Sequence, residues 1–399
     1  MTPPPYPVIR LLPRTDGRAI RHGSPWVFDN ELVTDRRTRA LAPGTIAVLE
    51  DGARAALGVV AVNPASKIMA RMLDRDPGAR IDRDWLRARL IRAREMRTRL
   101  FDAPFYRLIH AEADGLPGVV IDRFGEVAVI QPNAAWAEGV LFDLAAVVQE
   151  VTGVTTVLKN AAGRARALEG LDDASAVLAG RAPEAPVPVE MKGAIYMADL
   201  TGGQKTGLYY DQRPNHAFAA RLARGARVLD VFSHVGGFSL ACLAGGAASA
   251  LAVDGSQAAL DLGMEGAARM GMAGRLVPRR GDAFEVMEAL VAEGARFDVV
   301  ICDPPAFAPS KPALEKGLRA YERVARLAAG LVAEGGYLGL CSCSHAADLG
   351  RFRTACTRGI GRAGRAGGAL IHTGFAGPDH PLHPQLAESG YLKALFFRL

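Results

Sequence analysis

From about residue 190 onward, short apolar runs alternate with longer segments of helical periodicity. Arg227-Val228-Leu229-Asp230-Val231, Ser249-Ala250-Leu251-Ala252-Val253-Asp254 and Phe297-Asp298-Val299-Val300-Ile301-Cys302 read as strands. Further strands are expected near Leu276-Val277, over Gly336 to Cys341 and over Tyr391 to Phe397, with helices over 256–271, 283–292 and 315–332. This alternation predicts an α/β fold with a doubly wound, mostly parallel sheet. Such a sheet fixes where a ligand sits: beyond the carboxyl ends of the strands, where strand order reverses.

Four acidic residues, Asp230, Asp254, Asp282 and Asp303, fall at or just after these strand ends. A single such aspartate is often only a helix cap; four in succession favour a binding edge. The first strand runs into Phe232-Ser233-His234-Val235-Gly236-Gly237, whose glycine pair allows the backbone to approach a ligand closely. No G-x-G-x-x-G is present, so a dinucleotide pyrophosphate is not expected. Asp254 lies 24 residues after Asp230, near the spacing at which an acid reaches ribose hydroxyls. A nucleoside cofactor without a pyrophosphate fits, and S-adenosylmethionine (SAM) is the expectation. Asp282, followed by Ala283 and Phe284, is expected to meet the adenine.

The buried strand ending at Cys302 is followed by Asp303-Pro304-Pro305-Ala306-Phe307. Adjacent prolines stiffen a loop, and Phe307 offers a stacking face, so a planar base can be held there by stacking and by polar contacts to its edge. The next strand closes on Cys341-Ser342-Cys343-Ser344-His345. Cytosine C5 is a poor nucleophile for direct methylation. A thiolate adding at C6 makes C5 enamine-like, and that chemistry needs an activated cysteine at a pocket mouth. Cys343 lies nearer the strand end than Cys341 and is the better candidate. Cys242, Cys302, Cys356 and Cys341 read as small core residues, and His345 as either a tuning group or a structural one.

The first 75 residues read as a small β-rich module, with β-type runs at Pro25–Phe28, Thr45–Leu49 and Ala56–Val60. A helix is expected from Asp82, its cap, to Leu100, with Trp85, Leu86, Leu90 and Ala93 on one face and Arg83, Arg87, Arg94 and Arg97 away from it. A hairpin over 118–130, a helix over 136–150 and a strand at 155–158 follow, and the Pro-rich stretch 182–188 marks a connection. The resulting division is 1–75, 76–188 and 189–399. Residues 1–100 carry 19 basic and 11 acidic side chains, whereas the rest carries 29 and 31. A basic module beside a near-neutral one suits a nucleic-acid enzyme that separates binding from chemistry.

Five cysteines without a C-x-x-C pair argue against a disulfide scaffold or a structural zinc site. No signal peptide or bilayer-spanning run is apparent, so a cytoplasmic protein is the expectation.

Taken together, these motifs resemble the PUA-domain class I SAM-dependent rRNA methyltransferases, in particular the large-subunit rRNA cytosine-5 methyltransferases. Arg21-His22-Gly23-Ser24-Pro25-Trp26-Val27-Phe28 is similar to the start of the family's PUA RNA-binding domain. The stretch from Glu112 to Arg123 resembles its middle-domain signature, and Gln204-Lys205-Thr206-Gly207-Leu208-Tyr209-Tyr210-Asp211-Gln212-Arg213 its entrance to the catalytic domain. Asp379-His380-Pro381 and Tyr391-Leu392-Lys393 resemble its C-terminal pattern.

The resemblance implies cofactor contacts at Tyr210, Arg213, Asp230, Phe232, Ser233, Gly236, Gly237, Asp254, Asp282 and Ala283. It implies a nucleophile at Cys343, a base-binding role for Asp303, and substrate contacts at Pro304, Pro305 and Phe307. The partner it implies is large-subunit rRNA, with a homodimer as one oligomeric arrangement. Ala306 stands where relatives often have Lys, and His216 where they often have a second Arg. Two other readings remain: methylation of a purine nitrogen in rRNA, with Cys343 structural, or an inactive RNA-binding ribosome-assembly factor.

Overall fold

The computed structural model describes residues 6–202 and 207–399, so Gln204, Lys205 and Thr206 of the entrance motif lie outside the described residues. The chain forms two compact units, each assembled from separated segments: Met1–Glu184 with Leu200–Gly207 and Asp379–Leu386, and Ala185–Asp199 with Leu208–Pro378 and Ala387–Leu399.

The first unit opens with β1 (Val8–Arg10), α1 (Arg18–Arg21), β2 (Trp26–Val27), α2 (Arg36–Arg39), β3 (Thr45–Glu50), β4 (Ala56–Val62) and β5 (Ala70–Asp74). The five strands form one sheet in the order β1-β3-β4-β5-β2. Alternation puts Ala47 and Leu49 of β3 into a core with Ile9, Leu11, Val60 and Met72. β1 and β5 give no clear strand pattern in the sequence, being three and five residues long with one charged residue in β1 and two in β5.

Helix α3 (Arg83–Leu100) starts where expected, with the Asp82 carboxylate accepting from the Trp85 amide at 3.0 Å. Of its arginine row Arg83 is exposed, whereas the other three are engaged by the protein. Arg97 is fully buried, making two bonds to Asp114 at 2.6 and 2.7 Å and one to the Asp379 carbonyl at 2.9 Å. Arg87 is held by Glu150 and Asp84, and Arg94 by the Val151 carbonyl. The residues that follow supply β6 (Phe105–His110), β7 (Val119–Phe124), β8 (Val127–Pro132), α4 (Ala135–Gly139), α5 (Leu141–Thr152), β9 (Thr156–Lys159), α6 (Arg164–Leu168) and β10 (Ala176–Ala179), with the strands ordered β10-β9-β8-β7-β6. The single helix expected over 136–150 is two, because Val140 leaves helical geometry (φ −116°, ψ 13°).

The second unit begins with the hairpin β11 (Val187–Met191) and β12 (Ala194–Ala198), so the last residues of the Pro-rich connection are already strand. It continues as α7 (Arg213–Leu222), β13 (Arg227–Val231), α8 (Gly237–Ala244), β14 (Ser249–Asp254), α9 (Gln257–Arg269), β15 (Leu276–Arg280), α10 (Ala283–Ala292), β16 (Phe297–Cys302), α11 (Leu314–Leu331), β17 (Val332–Ser342), α12 (Leu349–Arg362), β18 (Ala369–Gly374) and β19 (Lys393–Arg398). The seven-stranded sheet has the order β15-β14-β13-β16-β17-β19-β18. β15 to β17 run parallel, and β19 is antiparallel to both neighbours. This is the doubly wound, mostly parallel sheet that the alternation predicts. Leu229, Val231, Val300, Leu338 and Leu395 pack with Tyr321, Val324 and Ala328 of α11 and with Phe352 and Ile360 of α12. Strand order reverses on either side of β13, which places the ligand edge at the ends of β13, β14 and β16.

Candidate active site

The four aspartates meet at that edge. Asp230 is the fourth residue of β13, Asp254 the last of β14, Asp282 the cap of α10 after β15, and Asp303 the residue following β16. Asp230 is fully buried. Its Oδ2 accepts from the amide and the hydroxyl of Ser239, both at 2.8 Å, while Oδ1 has no partner among the described residues. Burial pushes this carboxyl up to about 6, partly offset by the Ser239 bonds. Ser233 is also buried, with a hydroxyl lacking a partner among the described residues.

The loop between β13 and α8 is held in an unusual backbone: Phe232, His234 and Gly236 adopt φ of 63°, 50° and 80°. Only the last is at ease there, so the loop carries strain of the kind found at ligand clamps. Asp254 helps hold it, since its Oδ2 accepts from the His234 amide at 2.8 Å and its Oδ1 from the Ser256 amide at 2.9 Å. Each oxygen keeps accepting capacity for a diol. The glycine pair answers a second need besides ligand approach. A Cβ on Gly237 would lie 3.0 Å from His216 Nε2, so the crowding comes from the protein itself.

His216, at the position where relatives often carry Arg, is buried against Phe238 (ring centroids 4.5 Å) and Tyr196 (6.0 Å). Burial first, then Arg213, hold it neutral, down to about 3. Tyr210 is buried, with the Arg213 guanidinium 5.3 Å from its ring centre. Asp211 of the same motif accepts from the Tyr391 hydroxyl at 2.7 Å, which joins two motifs far apart in sequence.

Asp282 behaves first as a cap: its Oδ1 accepts from the Phe284 and Glu285 amides at 2.9 and 3.1 Å. Its side chain is exposed, and the buried Ala283 begins the helix behind it. Phe232, Phe284 and Phe307 sit with centroids 6.3–6.4 Å apart, and Phe307 also contacts Tyr321 at 5.0 Å. Phe307 is therefore half-buried in an aromatic cluster and presents only part of its ring.

The Asp303 and Cys343 loops are bolted together by groups that sequence reading missed. Ser342 and Ser344 are both fully buried. The Ser344 hydroxyl accepts from the Ala308 amide at 3.0 Å and shares a 2.8 Å bond with the Tyr321 hydroxyl, to which Ser342 Oγ donates at 2.9 Å. Cys343 lies between the two serines and is the one cysteine of five that is not buried; its Sγ is 4.0 Å from the Pro304 carbonyl. Cys242, Cys302, Cys341 and Cys356 are core residues with thiols pushed up by burial. His345 is exposed, as are Pro305 and Ala306, while Pro304 is buried.

Residues 136–360 match the family model of S-adenosylmethionine-dependent methyltransferases, and residues 9–75 that of a PUA-like domain. Over 389 residues the chain is 34% identical to ribosomal RNA large subunit methyltransferase I of Alteromonas mediterranea, covering 96% of this chain and 97% of that protein. The chain belongs to the ribosomal RNA large subunit methyltransferase I family. The protein of that name from Cronobacter sakazakii is 33% identical over 373 residues, covering 92% of this chain and 93% of its own. The fold is shared with a putative SAM-dependent methyltransferase from Streptococcus mutans: TM-score 0.82 at 17% identity, covering 98% of this chain and 100% of that one.

SAM is the cofactor of this family. The residues present fit it: the unpartnered Asp230 Oδ1 and Ser233 Oγ suit a methionine ammonium, and Asp254 suits the ribose. The side of Asp282 not engaged in capping suits an adenine amine.

Proposed function

We propose that this protein methylates cytosine C5 in large-subunit rRNA, with Cys343 as nucleophile. One observation carries the reading: a single solvent-reachable thiol stands at the end of β17, beside the stiff Asp303-Pro304-Pro305 loop, while every other cysteine is core. Its relatives are named for ribosomal RNA of the large subunit, which supports the substrate class. As a working division, residues 1–75 bind RNA, 76–188 form a small α/β middle domain, and 189–399 carry the chemistry.

Asp303, Pro304, Pro305 and Phe307 hold the flipped or unpaired base, with the Asp303 carboxylate on its polar edge. The Cys343 thiolate adds to C6, and the C5–C6 electron pair becomes available at C5. Tyr210, Arg213, Asp230, Phe232, Ser233, Gly236, Gly237, Asp254, Asp282 and Ala283 would hold SAM, which would supply the methyl group to C5 and leave as S-adenosylhomocysteine. A base takes the C5 proton, the C5–H electron pair re-forms the C5–C6 double bond, and the C–S bond breaks to release Cys343 as a thiolate.

Isotope-labelled SAM, unmodified large-subunit rRNA and nucleoside mass spectrometry test this. Label in 5-methylcytidine, abolished by Cys343→Ala, is expected. Label in a methylguanosine or methyladenosine, surviving that substitution, would overturn it.

A further inference from the structure

At the turn after β17 a buried cation serves no carboxylate. Lys393, the first residue of β19, lies in register with Ser342, the residue before Cys343. Its side chain is almost wholly buried. Its Nζ donates to the carbonyls of Ser344 at 2.8 Å and Ala347 at 2.7 Å, and no ion pair neutralises it among the described residues. Burying an ammonium without a counter-charge is unfavourable. Two carbonyls alone could be bridged as well by neutral donors, so the charge itself calls for a reason.

We infer that Lys393 is the positioning residue for Cys343: its ammonium clamps the turn from Ser344 to Ala347 and supplies the positive charge that favours the neighbouring sulfur as a thiolate. This rests on the reading of Cys343 as nucleophile. Lys393 touches neither base nor cofactor. It acts on the first step, in which the Sγ lone pair forms the bond to C6; a thiol would have to shed its proton first, whereas a thiolate held beside an ammonium need not. Burial pulls the Lys393 ammonium down to about 8, and Cys343 and then Asp348 oppose that shift. The other titratable groups around the pair are Asp303 after β16, Tyr321 on α11, Tyr209 and the exposed His345. Asp303 disfavours a second anion, which makes a fixed cation the more necessary.

The experiment follows the rate of Cys343 alkylation by iodoacetamide against pH in the full chain, with the modified site read by peptide mass spectrometry. The four core cysteines are shielded, so the signal belongs to Cys343. Lys393→Met should raise the midpoint of the profile by about one pH unit, equivalent to a tenfold smaller thiolate fraction at neutral pH. Lys393→Gln, which keeps a donor for the carbonyls but not the charge, should shift it likewise. Lys393→Arg should stay near the wild type. Thermal melting and SAM calorimetry verify folding, and Lys393→Gln decides if Lys393→Met does not fold. An unchanged midpoint in a folded charge-removing variant would overturn the inference. The measurement needs no RNA. A methylpurine product together with the expected shift would sink the cytosine reading and leave the Lys393–Cys343 coupling standing.

Discussion

Asp230 shows how one side chain can oppose stability while serving binding. Its carboxyl moves from 3.8 to about 6 on folding because burial disfavours the anion. The folded protein therefore keeps a proton between those values where the unfolded chain has lost it. The penalty, about 3 kcal/mol, is fully present above pH 6 and is relieved as pH falls toward 4. Asp230→Asn keeps an acceptor for Ser239 and removes the charge. We expect it to raise the melting temperature of the cofactor-free protein at pH 7.5, by an amount that shrinks toward pH 4.5. The same substitution should weaken SAM binding in calorimetry by about tenfold or more, since a charge-assisted bond is lost. A variant that is no more stable at pH 7.5 would contradict the burial argument.

The parallel strands and their helices were readable from sequence because each is a local pattern: a buried apolar run, an acid at its end, a cap such as Asp82 or Asp282. β18, α12 and α7 were not read. β18 is an exposed edge strand with no clean alternation, and α7 opens on Arg213-Pro214, which looks like a loop. The site was readable where its residues sit at strand ends. Lys393, Tyr321, Ser342 and Ser344 were missed because their roles arise only when β17, β19 and α11 are packed together. Tyr321→Phe tests this packing directly. It leaves two buried serine hydroxyls without a shared partner and should cost about 1–3 kcal/mol in chemical denaturation. A loss below about 0.5 kcal/mol would show that the serines repartner locally.

A similar long-range logic explains the segment Asp379–Leu386, which belongs to the first unit although it comes late in the chain. The Asp379 carboxylate accepts from the Arg107 amide at 3.1 Å, its carbonyl accepts from Arg97, and His380 lies 5.0 Å from His110, centroid to centroid. The Asp379-His380-Pro381 motif and the Glu112–Arg123 region lie far apart in sequence; in the structure, Arg97 links Asp114 of that region to Asp379. Asp114→Ala leaves Arg97 buried without its carboxylate and should cost about 3–5 kcal/mol. Hydrogen exchange should quicken across 379–386 as well as in α3; exchange confined to α3 would argue against a shared network. Burial also holds His110 down to about 2, so below its ordinary 6.5 the unfolded chain takes up a proton that the folded one refuses. The first unit should therefore lose stability as pH falls from 6.5.

The division of charge bears on how the whole molecule meets RNA. The excess of basic residues lies in the first 100, and part of it is engaged by acids beyond that stretch: Arg71 by Glu112 and Glu169, Arg87 by Glu150, and the buried Arg97 by Asp114. Net charge thus overstates the surface available to phosphates. Arg36, Arg37 and Arg39 on α2 are exposed, and they crowd into a single turn of helix. A phosphate contact displaces counterions, so each one adds to the steepness with which affinity falls with salt. If α2 meets the RNA backbone, replacing Arg36, Arg37 and Arg39 together with Gln should lower the slope of log affinity against log salt by about 2. Binding of SAM should stay as it was, because α2 lies outside the unit that carries the aspartates. Filter binding to an rRNA fragment from 50 to 300 mM salt measures the slope. An unchanged slope would move the RNA backbone away from α2 and toward other exposed arginines of the chain.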